Sequence, residues 1–264
     1  MIILTGSDGF IGSHFKDKLD KKNDLVCVEI DNARSFLNDF NQWEDVSTIY
    51  HQGAISNTRE KNIQKLYEFN IDFSIQLFEK AIKYSIPIKY ASSASVYGNT
   101  KNEINPLNNY SISKTLIDYW VLDNIDKFKH IQGFRYFNVY GKGEDDKIKN
   151  NQASPISTFI NQVKKNGTLK LFKGSEDFYR DFIYVEDVVE CVTDNTLKSG
   201  IFDLGTNNPV SFYEIAKLIS EKTDSKIEYI NFPVELEGKY QKHTCSNLKW
   251  DFTFKTPKQY IESL

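Results

Sequence analysis

Residues 1–22 read MIILTGSDGFIGSHFKDKLDKK. Ile2, Ile3 and Leu4 form a short unbroken apolar run, the mark of a strand covered on both faces. Ile11, Phe15 and Leu19 then recur at i, i+4 and i+8, one stripe of a helix. Gly6, Gly9 and Gly12 stand between the two. Positions without a Cβ permit a tight turn, close approach of backbone N–H groups to a pyrophosphate, and close helix–strand packing. The phosphates would rest on the helix N-terminus. LVCVEI (25–30) is a second apolar run expected to be a buried strand, and it ends at Asp31. That acid lies about 20 residues past the glycines, where a carboxylate can hydrogen-bond an adenosine ribose. Strand, glycine turn, helix and acid together predict a dinucleotide site.

The same alternation continues. Strands are expected at STIYH (47–51), IPIKYAS (86–92) and within IQGFRYFNVYG (131–141), with a long helix over 60–84 between the first two. Ile63, Leu66, Phe73, Leu77 and Ala81 form that helix's stripe, and Asn70 interrupts it. Asn70 is either a helix-surface amide or a group bonding the backbone near a cofactor. Residues 35–46 look short and polar, without a strand–helix pair, and KGEDDKIKNNQ (142–152) reads as a loop. Beyond it come a helix over 155–165, the strand LKLF, the strand IFDLGT, a helix over 212–222, the strand KIEYINF and a terminal helix after Pro257. The pattern predicts an α/β fold, a doubly wound parallel Rossmann-type sheet with a small C-terminal α/β substrate-binding annex. Residues 1–145 with 181–210 are assigned to the first part, 146–180 with 211–264 to the second.

Tyr90–Lys114, YASSASVYGNTKNEINPLNNYSISK, brings the chemistry. Tyr110 and Lys114, four apart, share a helix face about 6 Å apart along its axis. The ammonium is expected to favour the ionised phenol, whose ordinary pKa of about 10 makes it a poor base at neutral pH. Ser92, Ser93 and Ser95 lie upstream at a strand end, where a hydroxyl could bond the same substrate oxygen. This arrangement suits proton transfer from a carbinol being oxidised to a ketone. Tyr97/Lys101 and Tyr213/Lys217 repeat the spacing. The first spans a Gly-Asn turn and the second lacks a serine-bearing strand, so both read as a surface tyrosine beside a solvated lysine.

A net charge of −3 and scattered lysines argue against nucleic acid as a partner. Three cysteines, far apart, give neither a disulfide framework nor a metal spacing, and the four histidines do not cluster, so no metal site is expected. No apolar run approaches a membrane span, and the chain opens on a strand without room for a signal peptide. A cytoplasmic protein without membrane contact is expected.

The runs HQGAISNT (51–58), YASSASVYG (90–98), GFRYFNVYG (133–141), LFKGSEDFYRDFIYVEDV (171–188), IEYINFP (227–233) and GKYQ (238–241) resemble the extended short-chain dehydrogenase/reductases. Within that family the chain is most similar to the ADP-L-glycero-D-manno-heptose 6-epimerases. The resemblance implies Ser93, Tyr110 and Lys114 as catalytic groups and Lys149 as a second acid/base, with Lys147 in reserve. It implies cofactor contacts at Phe10, Ile11, Asp31, Asn32, Gln52, Gly53, Ala54, Ser56, Asn70 and Val139, besides the glycines, Tyr110 and Lys114. Ser93, Asn138, Asn151, Phe172, Lys173, Gly174, Ser175, Arg180 and Tyr240 would meet the substrate. Arg180, beside Asp177 and Asp181, otherwise reads as a surface ion pair. NADP or NAD, one per subunit, a nucleotide-diphosphate sugar and a homo-oligomer follow as expectations.

The chain departs from that family in three places. The region after Asp31 is short, with Asn38 and Asp39 left to serve the adenine pocket. Asp31 would repel a 2′-phosphate, whereas Arg34 could bind one. The loop from Ser93 to Tyr110 is also short, and Asn151 and Thr158 replace serine and histidine. The implied reaction is epimerisation at C6″ by transient oxidation. The alternatives are a hexose 4-epimerase or a related short-chain dehydrogenase/reductase, and, more distantly, a non-catalytic dinucleotide-binding regulator. A 4,6-dehydratase would need an Asp-Glu pair where Ala94 and Ser95 stand.

Overall fold

The computed structural model describes residues 1–20, 24–234 and 240–264. Gly238 and Lys239 of the GKYQ run lie outside them. Six strands form one parallel sheet: β1 (Ile2–Thr5), β2 (Leu25–Val28), β3 (Thr48–His51), β4 (Ile88–Ser93), β5 (Ile131–Tyr136) and β10 (Gly200–Leu204). Their order is β10-β5-β4-β3-β1-β2, so the chain starts inside the sheet and reverses direction there. In open α/β sheets ligands bind at that reversal, outside the carboxyl ends of the strands. The expected doubly wound parallel sheet is present.

Helix α1 (Phe10–Leu19) follows the glycine turn and buries Phe10, Gly12, Phe15 and Leu19, with Ile11 half-buried. Strand β2 departs from expectation. It stops at Val28, and Leu25, Val26 and Cys27 are only half-buried. The cause is topological: β2 is the sheet's edge, because the short region after Asp31 supplies no strand beyond it. That region is not merely polar either. Helix α2 (Ala33–Asp39) leads to a turn in which Phe36, Phe40 and Trp43 pack edge to face, and Trp43 joins the core.

The long helix expected over 60–84 is three pieces: α3 (Ile63–Leu66), a π-helical segment (Tyr67–Asp72) and α4 (Phe73–Lys83). Ile63, assigned to its buried stripe, is exposed, whereas Asn70 is fully buried. Helix α5 (Asn109–Asn124) is capped by Asn108, whose side chain accepts the Ser111 N–H. The run 131–141 breaks at Phe137 into β5 and β6 (Asn138–Tyr140). The expected loop at 142–152 contains a short helix, α6 (Asp145–Lys149). It is followed by α7 (Pro155–Asn166), β7 (Thr168–Phe172), β8 (Tyr179–Arg180) and β9 (Phe182–Tyr184). Helix α8 (Val185–Asp194) precedes β10, after which come β11 (Val210–Ser211), α9 (Phe212–Thr223), β12 (Lys226–Ile230) and α10 (Pro257–Glu262).

Two compact units result. The first comprises Met1–Val96, Pro106–Arg135 and Val189–Phe202, and the second Tyr97–Asn105, Tyr136–Val188 and Asp203–Leu264. Among the described residues no helix is long and apolar enough to cross a membrane.

Candidate active site

In the first unit the glycine turn borders a cavity of about 240 Å³ lined by Gly6, Gly9, Glu29, Gln52, Gly53 and Ala54 among others. Gly6 has φ +71°, and a Cβ there would lie 2.5 Å from Gly53 Cα. A Cβ on Gly12 would lie 1.8 Å from the Gly6 carbonyl oxygen. No side chain caps α1, so its first amides are open to an anion. Bare backbone, an uncapped helix start and a cavity beside both fit a dinucleotide's diphosphate.

A buried chain of polar groups fixes the far wall. Thr5 Oγ1 accepts the Gly53 N–H at 3.0 Å and meets His51 Nδ1 at 2.7 Å, while His51 Nε2 meets Ser74 Oγ at 2.8 Å. Ser74 Oγ in turn donates to the Asn70 carbonyl. Because Thr5 accepts at one end and Ser74 donates at the other, the network assigns the proton to Nε2. Burial, and then the charge of Lys114, push the His51 pKa down to about 3, so the ring is neutral. Asn70 clamps the loop itself. Its Oδ1 accepts the Ile55 N–H at 2.8 Å, and its Nδ2 donates to the Ile55 carbonyl at 3.1 Å and to Ser113 Oγ at 3.0 Å. Asn70 is therefore the backbone-bonding group of the two readings, set in a π-helical turn of the sort that recurs at functional sites.

Ser93 ends β4, and Tyr110 and Lys114 lie on the first turns of α5. The Ser93 hydroxyl lies near enough to the Tyr110 phenol to favour its ionised form. The electrostatics correct one expectation. Burial raises the Tyr110 pKa, the Ser93 hydroxyl pulls it back, and Asp118 raises it further. Burial thus outweighs the nearby ammonium of Lys114, whose Nζ donates to the Ala91 carbonyl at 2.7 Å. Lys114 is fully buried, and desolvation brings its pKa to about 8 against the pull of Asp118. Asp118, buried one turn on, accepts Tyr90 Oη at 2.9 Å, Ser92 Oγ at 3.0 Å and Arg135 Nε at 2.9 Å. Ser95 Oγ is buried without a hydrogen-bond partner among the described residues.

Other expected residues lie apart from the cavity. Asp31, Asn32 and Ser56 are exposed, and none of them lines it. Sequence reasoning overlooked Glu29, which does line it; only its place one residue past β2 could have drawn attention to it. Of the two remaining spacing repeats, Tyr213/Lys217 is as expected, with Lys217 paired to Glu221 at the surface. Gly98 does break the other with a left-handed turn, but Tyr97 is no surface tyrosine: it is buried, with its phenol donating to Asp203 Oδ1 at 2.5 Å, while Lys101 is exposed.

In the second unit Arg180 is no surface ion pair. It is buried between the Phe212 and Tyr240 rings, 5.3 and 5.2 Å from their centroids. Its guanidinium donates to the Tyr179 and Gln241 carbonyls. Asp181 serves backbone instead, accepting from Thr206, Asn207 and Ser246. Phe172 is half-buried, Lys173 and Gly174 are exposed, and the Ser175 hydroxyl turns back to the Phe172 carbonyl. Asn138 and Val139 lie half-buried on β6, and Asn138 Oδ1 accepts Thr244 Oγ1 at 3.3 Å. Asn151 is exposed, with φ +53°. Lys149 is exposed and paired with Asp146 at 2.8 Å. Lys147 is half-buried, and desolvation lowers its pKa against the pull of Glu144.

The profile of the NAD dependent epimerase/dehydratase family matches residues 2–199. An ADP-L-glycero-D-manno-heptose-6-epimerase of Brachyspira hyodysenteriae is 37% identical over 295 aligned positions, covering 94% of this chain and 90% of that one. The crystal structure of the Helicobacter pylori ADP-L-glycero-D-manno-heptose-6-epimerase superposes with a TM-score of 0.83 at 26% identity, over 99% of this chain and 94% of the other. A UDP-N-acetylglucosamine 4-epimerase from Methanobrevibacter ruminantium shares the fold, with a TM-score of 0.82 at 19% identity, over 98% and 96% of the two chains. The chain belongs to the NAD dependent epimerase/dehydratase family.

Proposed function

We propose that the chain is a nucleotide-sugar epimerase acting at C6″ of an ADP-linked glycero-manno-heptose, with one NADP or NAD per subunit. The observation that carries this reading is the 37% identity, over 94% of the chain, to an enzyme of that name. Gly6, Gly9, Gly12 and the start of α1, with Phe10 and Ile11, would hold the dinucleotide's diphosphate. Gln52, Gly53, Ala54, Ser56 and Val139, with Asn70 acting through Ile55, would hold the rest. When bound, the nicotinamide supplies the acceptor and donor of the hydride exchanged with the sugar carbon.

Tyr110 takes the hydroxyl proton as that carbon becomes a ketone, and Ser93 donates to the same oxygen. Lys114, with a pKa of about 8, is mostly protonated at neutral pH and supplies the charge that a phenolate needs. The ketone then turns its other face. A second acid/base on α6, Lys149 or Lys147, protonates from the opposite side. Arg180 and Tyr240, with Phe172–Ser175, would grip the diphosphate, since guanidinium presents a planar fork to phosphate oxygens. Asn138 and Asn151 would meet the sugar.

A cytoplasmic location is proposed with this substrate. So is a homo-oligomer, for which the outward face of α5 speaks: Ile112, Leu116 and Tyr119 are exposed there. Incubation with ADP-, GDP- and UDP-linked sugars, followed by NMR, tests the assignment. Inversion at C6″ of the ADP-heptose alone is expected; turnover confined to a UDP-hexose at C4″ would overturn it.

A further inference from the structure

We propose that Glu29, rather than Asp31, reads the adenosine ribose and makes this chain selective for NAD over NADP. The proposal rests on the dinucleotide reading above and goes beyond it. Glu29 is held in place from three directions. Its Oε1 accepts Ser7 Oγ at 2.7 Å and the Asp8 N–H at 3.2 Å, and its own N–H donates to Asn32 Oδ1 at 2.8 Å. The first two bonds tie the carboxylate to the glycine turn itself. Its other oxygen, Oε2, takes no hydrogen bond among the described residues and is left to accept from a ligand hydroxyl.

The surroundings reject a further negative charge. Among the described residues none that lines the cavity is basic. Arg34, the cation that could receive a 2′-phosphate, lines a separate polar cavity of about 200 Å³ and is ion-paired there with Glu68 on the π-helical segment. A ribose 2′-hydroxyl can donate to a carboxylate, whereas a 2′-phosphate would stand against it with like charge. Asp31, the acid that sequence spacing suggested, is exposed and does not line the cavity.

Titration calorimetry on protein stripped of nucleotide tests this, with NAD and NADP as separate ligands. The wild type should bind NAD at least about tenfold more tightly. Glu29→Gln keeps an acceptor for Ser7 and Asp8 but removes the charge, so it should largely close that gap. Asp31→Asn should leave the ratio unchanged, and a thermal midpoint for each variant checks that it folds. Equal or tighter NADP binding by the wild type, a ratio untouched by Glu29→Gln, or one that responds to Asp31→Asn overturns the proposal. If the wild type bound neither nucleotide, the dinucleotide reading would fail with it. A preference for NADP would sink the selectivity alone.

Discussion

Tyr110 is buried where its phenol holds its proton, beside a Ser93 hydroxyl that favours the opposite state. Removing that one oxygen, in Tyr110→Phe, should lower the epimerisation rate by a factor of about 10²–10⁴. Losing the phenol's polar interaction with Ser93 should cost only about 1 kcal/mol of stability. Rate and urea denaturation together check this; a variant with wild-type rate would exclude Tyr110 from the proton transfer. Lys114 leaves a signature in stability. Its pKa is brought from the ordinary 10.5 to about 8 by burial. Between those values the unfolded chain binds more protons than the folded one, so the residue's contribution to stability rises with pH across that window. The stability difference between wild type and Lys114→Met should therefore move in favour of wild type from pH 7 to pH 10, by about 1–3 kcal/mol. A difference that does not change with pH would contradict the burial of a charged ammonium. The Tyr-Lys spacing and the serines were legible in the sequence because i, i+4 geometry is local. The direction of Lys114 Nζ was not, since the Ala91 carbonyl that attracts it comes from β4, well before α5 in the chain.

At the scale of elements, what the sequence hid is what depends on neighbours. Nothing in LVCVEI says whether a strand is central or at an edge; that is decided by how many strands follow it. The π-helical turn was hidden too, because one wide turn leaves the apolar stripe of α4 in phase. Asn70, a polar residue inside that stripe, was its only visible trace. Helix α6 was missed because it is short and charged, yet it presents two lysines in different settings. Lys149 is tied to Asp146 at the surface, whereas Lys147 is half-buried and desolvation lowers its pKa, the direction that acid/base work requires. Lys147→Met should therefore depress epimerisation by about 10²–10⁴, with Lys149→Met close to wild type. Steady-state kinetics on both decide it. Full activity in each would remove α6 from the chemistry, and the reverse order would return the second acid/base to Lys149.

For the molecule as a whole, α5 poses a problem of solvation. An ordinary surface helix buries its apolar stripe and wets its charges. This one turns Ser111, Ser113, Lys114 and Asp118 inward and leaves Ile112, Leu116 and Tyr119 in solvent. Those three recur at i, i+4 and i+7, a continuous stripe along much of a helix about 24 Å long. Helix α3 and the π-helical segment pack beside α5, and they expose Ile63 and Tyr67. Apolar surface of this extent on charge-poor elements is unfavourable in water at about 25 cal/mol per Å². A second copy related by a two-fold axis would cover the stripe with its own equivalent. The wild type should therefore run as a dimer or larger assembly in light scattering at micromolar concentration. Leu116→Glu should shift it to monomer while circular dichroism stays native, because the side chain lies on the solvent face of the subunit. A monomeric wild type would leave the stripe without a partner copy. A variant that stays assembled would move the interface elsewhere on the molecule.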